Sequence, residues 1–308
     1  MSAPPTALPP GLARALQGAV FDWWSGGPKE SRDALPWRHT RDPWAVLVSE
    51  MMLAQTSVGR VTARFPPFLE RFPTPATMAQ VPAGEVVRAW SGLGYNRRAL
   101  HLHALARRLA DEHAGRVPDE LAVLLGLPGV GPYTARAVLC FAYDRAVGVV
   151  DTNVGRILAR AVTGRCLHLA EAQRLADALV ARRRARDWGL ALMDLGALCC
   201  RARRPDCAHC PLAAGRCAYV RQQEEDASAP DPAVGSAATS TPQAPFAGSD
   251  RQLRGRLLRA ACAGAIAPDA LARVAGVPED PERAARLARR LVGEGLLVRA
   301  DDGGVRLP

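Results

Sequence analysis

Lysine is almost missing from this chain. Lys29 is the single one among 308 residues, so the net charge of +10 is carried by arginines. A lysine nucleophile is thereby excluded everywhere except at position 29. Long apolar runs are missing too. None approaches the roughly 20 residues that a membrane-spanning helix needs. The opening Met1–Pro10 is small, proline-rich and uncharged, unlike a secretory signal. Alternating apolar and polar positions, the mark of half-buried strands, are scarce. These absences predict a helical protein of a reducing, cytoplasmic compartment. Disulfides are not expected there.

What is present points to a polyanion. Guanidinium is planar, keeps its charge and binds two phosphate oxygens at once. A positive balance is a statement about partners, and nucleic acid is the first candidate. Of eight cysteines, four fall within residues 200–217, spaced Cys200-x6-Cys207-x2-Cys210-x6-Cys217. Clustered thiols in a reducing compartment read as metal ligands. Their spacing suits an iron–sulfur cluster or a zinc ion held by four thiolates. Zinc ribbons usually show two Cys-x-x-Cys pairs, and this loop has one. Cys199 reads as a spare thiol, and Cys140, Cys166 and Cys262 as core or incidental.

Apolar residues recur at helical spacing in Ala45–Leu53, Val86–Trp90, Leu100–Leu109 and Leu121–Leu125. Pro and Gly separate these segments at 73–75, 92–94 and 128–131. A main domain is expected over 11–221. Residues 222–249 turn polar and then rich in Ala, Ser, Thr and Pro, which predicts a flexible linker. Residues 250–308 read as three helices and a hairpin turning at 301–304, a winged-helix-like module. Its first helix carries Arg251, Arg254, Arg256 and Arg259, expected to support DNA binding.

Three local patterns carry chemistry. Leu127-Pro128-Gly129-Val130-Gly131 joins two apolar helical segments. Such a hairpin is either an ordinary turn or a phosphate holder, with backbone N–H groups and a helix start aimed outward. Asp151 follows Val149-Val150 and precedes a new helix. It reads as an N-cap, as a catalytic carboxylate, or as both, with the helix start keeping it ionised. Glu50 stands among Val46, Leu47, Leu53 and Ala54 at helical spacing. A desolvated carboxyl holds its proton to higher pH and can act as a general acid.

These phrases, with Pro36-Trp37-Arg38, Ser49–Thr56, Gly92–Tyr95, Leu127–Thr134, Val150–Arg156 and Leu192–Ala197, resemble the MutY-type adenine DNA glycosylases. That family lies within the helix-hairpin-helix (endonuclease III) superfamily, and the resemblance runs from about Leu35 to Ala218. It implies an all-α fold of two helical lobes with an iron–sulfur loop, Cys200, Cys207, Cys210 and Cys217 holding a [4Fe–4S] cluster. The last cysteine interval is one residue longer than usual. The resemblance also implies removal of adenine opposite 8-oxoguanine or guanine in double-stranded DNA carrying a mismatch or lesion. Glu50 would protonate N7 of the adenine and Asp151 would stabilise the sugar cation, with Tyr133 and Asn153 positioning them. Tyr133 stands where lyase-type relatives carry the Schiff-base lysine, so cleavage should stop at the abasic site. Gln55, Thr56, Leu93, Tyr95, Gly129, Gly131 and Arg38 would contact DNA, with Arg97 and Arg98 gripping its backbone. A monomer is expected. Thymine or uracil release from T·G or U·G mismatches is the alternative, since Tyr at position 133 also occurs in thymine glycosylases. Three features depart from the family: Ala54 stands in place of Gln, Asn96 in place of Tyr, and residues 250–308 are too short for the usual Nudix-like domain that recognises 8-oxoguanine.

Overall fold

The computed structural model describes residues 8–27, 34–236 and 245–308. Lys29 and part of the expected linker, 237–244, lie outside the described residues. The chain is helical, as expected. Among the described residues the strands are Val298–Arg299 and Val305–Arg306, paired antiparallel. No described helix is long and apolar enough to cross a membrane.

The chain divides into two compact units, and neither is continuous in sequence. One combines Met1–Arg41 with Pro132–Thr241, and the other Asp42–Gly131 with Pro242–Pro308. The passage at Gly131–Pro132 falls inside the glycine hairpin.

In the unit Asp42–Gly131, the central helix is Pro43–Leu53. Asp42 caps it, accepting the N–H groups of Trp44 (3.3 Å) and Ala45 (3.0 Å), and Pro43 starts it with φ already set. Every residue from Trp44 to Met52 is buried, as befits a helix that is apolar all round. Around it run helices Val58–Arg71, Pro75–Ala79, Ala83–Trp90, Arg97–Glu112 and Leu121–Leu125. Edge-to-face contacts of Phe68 with Phe72 (5.1 Å) and Trp90 (5.8 Å) tie two of these together.

Residues 245–308 form the expected three helices, Asp250–Ala263, Leu271–Ala275 and Pro281–Gly293, closed by the small hairpin. Leu253, Leu257, Leu287, Leu291, Leu296 and Leu297 make its core. It is a docked part of its unit. The N–H of Gly84 donates to Pro308 O (3.1 Å) and Arg88 Nε donates to Cys262 O (3.0 Å). A Cβ on Gly84 would lie 2.3 Å from Pro308 O, so only glycine permits this approach. Of the expected basic residues Arg251, Arg256 and Arg259 are exposed and Arg254 is half-buried, and three of the four have partners within the module. Arg254 pairs with Glu294, Arg256 donates to Ala275 O, and Arg251 lies over the Phe246 ring.

The other unit holds helices Leu12–Gly26, Pro132–Phe141, Thr152–Ile157, Leu169–Leu179, Ala185–Leu198 and Ala218–Glu225. Part of the segment read as a flexible linker is anchored here. Asp231 forms an ion pair with buried Arg160 (2.5 Å), and Ser236 Oγ accepts the N–H of Leu167 (3.1 Å). Composition alone hides this, because two specific bonds hold a stretch that has little apolar surface.

Gly84→Val should destabilise the protein by about 1–3 kcal/mol, the usual cost of overpacking. Its urea midpoint should fall and residues 245–308 should become sensitive to limited proteolysis. An unchanged midpoint and digestion pattern would contradict the docking.

Candidate active site and cysteine cavity

Asp151 sits at the start of helix Thr152–Ile157, where the chain leaves the buried pair Val149 and Val150. Its Oδ1 accepts the N–H of Val154 (2.7 Å) and its Oδ2 accepts Asn153 Nδ2 (2.9 Å). Asn153 is itself held, because Arg156 Nη2 donates to its Oδ1 (2.8 Å). The remaining donors of Arg156 go to the carbonyls of Cys200 (2.5 Å), Gly196 (2.6 Å) and Thr152 (3.0 Å). A relay therefore runs from Arg156 through Asn153 to the carboxylate. Arg156 falls within the phrase Val150–Arg156, but nothing in the sequence assigns it this role.

The helix start is not the dominant influence on the Asp151 carboxyl. Burial is the largest influence and pushes the carboxyl above its ordinary range. The bonds from Val154 and Asn153 and the charge of Arg156 oppose it without cancelling it. The folded protein thus holds this proton more tightly than the unfolded chain. The group's contribution to stability is full in acid and is lost as pH rises through the folded-state pKa. At neutral pH Asp151 strains the fold, as functional groups often do.

Glu50 lies on helix Pro43–Leu53 in the other unit. It is 6 % exposed, with Ser49, Met51 and Met52 buried beside it. The inference of a desolvated carboxyl from helical spacing is matched by this placement. Tyr133 opens helix Pro132–Phe141, half-buried, in the same unit as Asp151.

Two turns of the unit Asp42–Gly131 bear the expected base-stack residues. Gln55 and Tyr95 are both exposed, Tyr95 by 42 %, and both have positive φ, 58° and 46°. Such a backbone costs a residue with a Cβ about 1–3 kcal/mol and clusters at functional positions. Thr56 Oγ1 donates to Leu93 O (3.1 Å), joining the turns. Leu93 departs from expectation: it is 2 % exposed, a core residue anchoring its turn rather than a group that protrudes. Arg98 departs as well. Its Nη1 donates to the carbonyls of Met51 (2.6 Å), Met52 (3.0 Å) and Ala54 (2.5 Å), and burial lowers its pKa to about 10. It is turned inward, and of the pair only Arg97 is exposed.

The hairpin is pinned by buried Leu127 and Val130. Gly129 has φ +74°, and a Cβ there would lie 2.6 Å from His101 Cβ. Both conformation and packing therefore demand glycine, while the half-buried Gly131 meets nothing within 4 Å. Arg38, expected on DNA, is instead paired bidentately with Asp194 at 2.6 and 2.8 Å, with side-chain exposures of 9 % and 4 %. Trp24 Nε1 adds a third bond to Asp194 (3.0 Å). Freeing Arg38 for phosphate would strand a buried carboxylate, at a cost of about 3–5 kcal/mol.

Cys200, Cys207, Cys210 and Cys217 line one cavity with Ile157, Leu195 and Leu212, about 380 Å³ of empty space partly open to solvent. Arg160 Nη1 donates to Cys200 Sγ (3.5 Å). Cys199 also reaches this cavity, but its thiol donates to His209 O (3.8 Å). Among the described residues no three His, Cys, Asp or Glu side chains form a ready holder for a single metal ion.

Removing the bond from Asn153 should make the Asp151 proton still harder to lose. In Asn153→Ala, the Asp151 carboxyl, followed by carbon-13 NMR, should titrate at higher pH than in the unaltered protein. An unmoved or lower midpoint would show that the relay does not act on the carboxylate.

With this geometry in hand, the comparisons are specific. Residues 48–165 match the family model described as HhH-GPD superfamily base excision DNA repair protein. An adenine DNA glycosylase of Mycobacterium tuberculosis is 42 % identical over 287 residues, covering 91 % of this chain and 90 % of that protein. One from Mycolicibacterium smegmatis is 43 % identical over 243 residues, 78 % of each chain. A thymine/uracil-DNA glycosylase of Methanothermobacter thermautotrophicus is 35 % identical over 68 % of this chain and 95 % of its own. The solved structure of a thermostable thymine-DNA glycosylase superposes with a TM-score of 0.62 at 30 % identity, covering 68 % of this chain and 97 % of that one. An endonuclease III–DNA complex gives a TM-score of 0.58 at 24 % identity, with 70 % and 99 % covered, a likeness of fold. The chain belongs to the HhH-GPD superfamily of base excision DNA repair proteins, in its adenine DNA glycosylase branch.

Proposed function

We propose that this protein hydrolyses the N-glycosidic bond of adenine mispaired with guanine or 8-oxoguanine in double-stranded DNA, and leaves an abasic site. The observation that carries the reading is Asp151, held by Asn153 and Val154 at a helix start, in a chain aligned along nine-tenths of its length with an adenine DNA glycosylase. The base must leave the stack, which costs a few kcal/mol. Exposed Gln55 and Tyr95, with Thr56 beneath them, fill the gap it leaves. The Gly129–Gly131 hairpin offers backbone N–H groups to a phosphate. Glu50, kept among apolar neighbours, donates a proton to N7 so that adenine departs neutral. Asp151, ionised, faces the positive charge that develops on the sugar, a division of labour between two carboxyls known from glycosidases. Asn153 and Tyr133 set their geometry. Tyr133 supplies no amine for a Schiff base, so the strand is left unbroken.

Four cysteines that line one cavity, in a spacing that resembles the family's iron–sulfur loop, support a [4Fe–4S] cluster. Cys200, Cys207, Cys210 and Cys217 would hold it. When bound it would cross-link the loop, and no step of base removal runs through it. Arg160, bonded to Cys200 Sγ and to Asp231, orients that ligand from outside.

Single-turnover assays on A·G, A·8-oxoG and T·G duplexes should show adenine release and strands that break only after alkali. Glu50→Gln and Asp151→Asn should each slow release by about 10²–10⁴-fold while duplex binding persists. Thymine release with adenine untouched would overturn the assignment in favour of the thymine/uracil activity named for the 35 % identical relative. Purified protein should contain about four irons and four sulfides per chain, and one zinc without iron would contradict the cluster.

A further inference from the structure

Gln55 and Tyr95 hold positive φ without being glycine, and strained backbone persists only where its surroundings over-determine it. Here one side chain supplies much of that constraint. The guanidinium of Arg98 bonds to the carbonyl of Ala54 just before Gln55, through Nη1, and to Thr56 Oγ1 just after it (2.8 Å), through Nη2. Nη2 also takes the carbonyl of Gly94, just before Tyr95 (3.1 Å), and Nε reaches Tyr95 O at 3.4 Å. The fork lies 5.3 Å from the Tyr95 ring and 5.2 Å from the buried Trp90 ring, within cation–π reach of both. Met51 O and Met52 O tie the same group to the end of the helix that carries Glu50. A lysine could keep the charge but not this many fixed directions, since its ammonium has three donors at one point and guanidinium five in a rigid plane.

We propose that Arg98 is a positioning residue: by bracketing Gln55 and holding the Tyr95 turn, it fixes the direction in which these two exposed side chains leave the protein, and so the geometry with which they enter the DNA base stack. The proposal rests on the reading of the chain as a base-extruding glycosylase. It separates Arg98 from phosphate contact, the role its exposed neighbour Arg97 is free to take.

The test uses full-length Arg98→Lys, with Thr56→Val as a second variant that removes the Arg98–Thr56 bond, together with the Thr56–Leu93 bond, and leaves the guanidinium in place. In the free protein, amide exchange should quicken at residues 54–56 and 92–96 and remain unchanged in the helix Arg97–Glu112 beyond its first turn. On an A·G duplex with 2-aminopurine beside the target, the fluorescence rise on extrusion should shrink, and single-turnover release should slow by about 10²-fold. Duplex affinity and its salt dependence should change little. Combining Arg98→Lys with Gln55→Ala and Tyr95→Ala should add little to the loss already caused by that pair, because all act at one step. Additive losses, a reduced salt slope, or unchanged exchange at both turns would overturn the proposal. If the unaltered protein extrudes no base from any duplex, the glycosylase reading fails, while the exchange data still decide whether Arg98 holds the two turns.

Discussion

Short helices end in backbone carbonyls that have no partner within the helix, and a chain built of short helices has many such ends. Guanidinium groups, those of Arg156, Arg160 and Arg186 buried and that of Arg98 half-buried, answer that constraint in this structure. Arg98 collects the carbonyls at the end of Pro43–Leu53, Arg156 those of Gly196 and Cys200 at the end of Ala185–Leu198 and just past it, and Arg160 that of Arg201. Arg186 donates to the carbonyls of Phe141, Arg38 and Thr40. Five donors in one rigid plane suit this work, and few other side chains could reach several carbonyls at once. The candidate site depends on it directly, since Asn153 is oriented by Arg156, and the turns of Gln55 and Tyr95 by Arg98.

This changes the meaning of the chain's basic charge. A net charge of +10 carried by arginine invites a picture of a uniformly phosphate-binding surface. Several of the arginines that best fit a sequence motif are instead engaged within the protein. Arg38 holds Asp194, Arg98 holds two turns, and Arg254 pairs with Glu294. The positive field that attracts a polyanion is a sum over all charges and survives their burial in part. The identity of the contacting groups does not follow from that sum.

Both carboxyls are buried. Glu50 lies on the helix Pro43–Leu53, beside buried Ser49, Met51 and Met52. Burial raises the pKa of Asp151, and bonds from Val154 and Asn153 and the charge of Arg156 oppose that rise by favouring the charged form. A negative charge at such a poorly solvated place acts strongly on a developing cation, because little water intervenes.

Much of this was legible in the residues. Apolar spacing located the helices Pro43–Leu53, Ala83–Trp90 and Arg97–Glu112 to within a few positions, because period is a local property. The place of Asp151 at a helix start and the desolvation of Glu50 were equally local. The three helices and hairpin of residues 250–308 followed from punctuation by proline and glycine. What sequence could not show is direction: whether an arginine points to solvent or to a carbonyl depends on chain ends far apart in sequence, as with Arg38 and Asp194 or Arg98 and Met51. Nor could it show that residues 226–236, poor in apolar surface, are secured by Arg160 and Leu167, or that residues 245–308 dock on Gly84 and Arg88. Composition and period decide which segments fold. Hydrogen bonds between distant segments decide where their polar groups end up, and only the tertiary structure contains them.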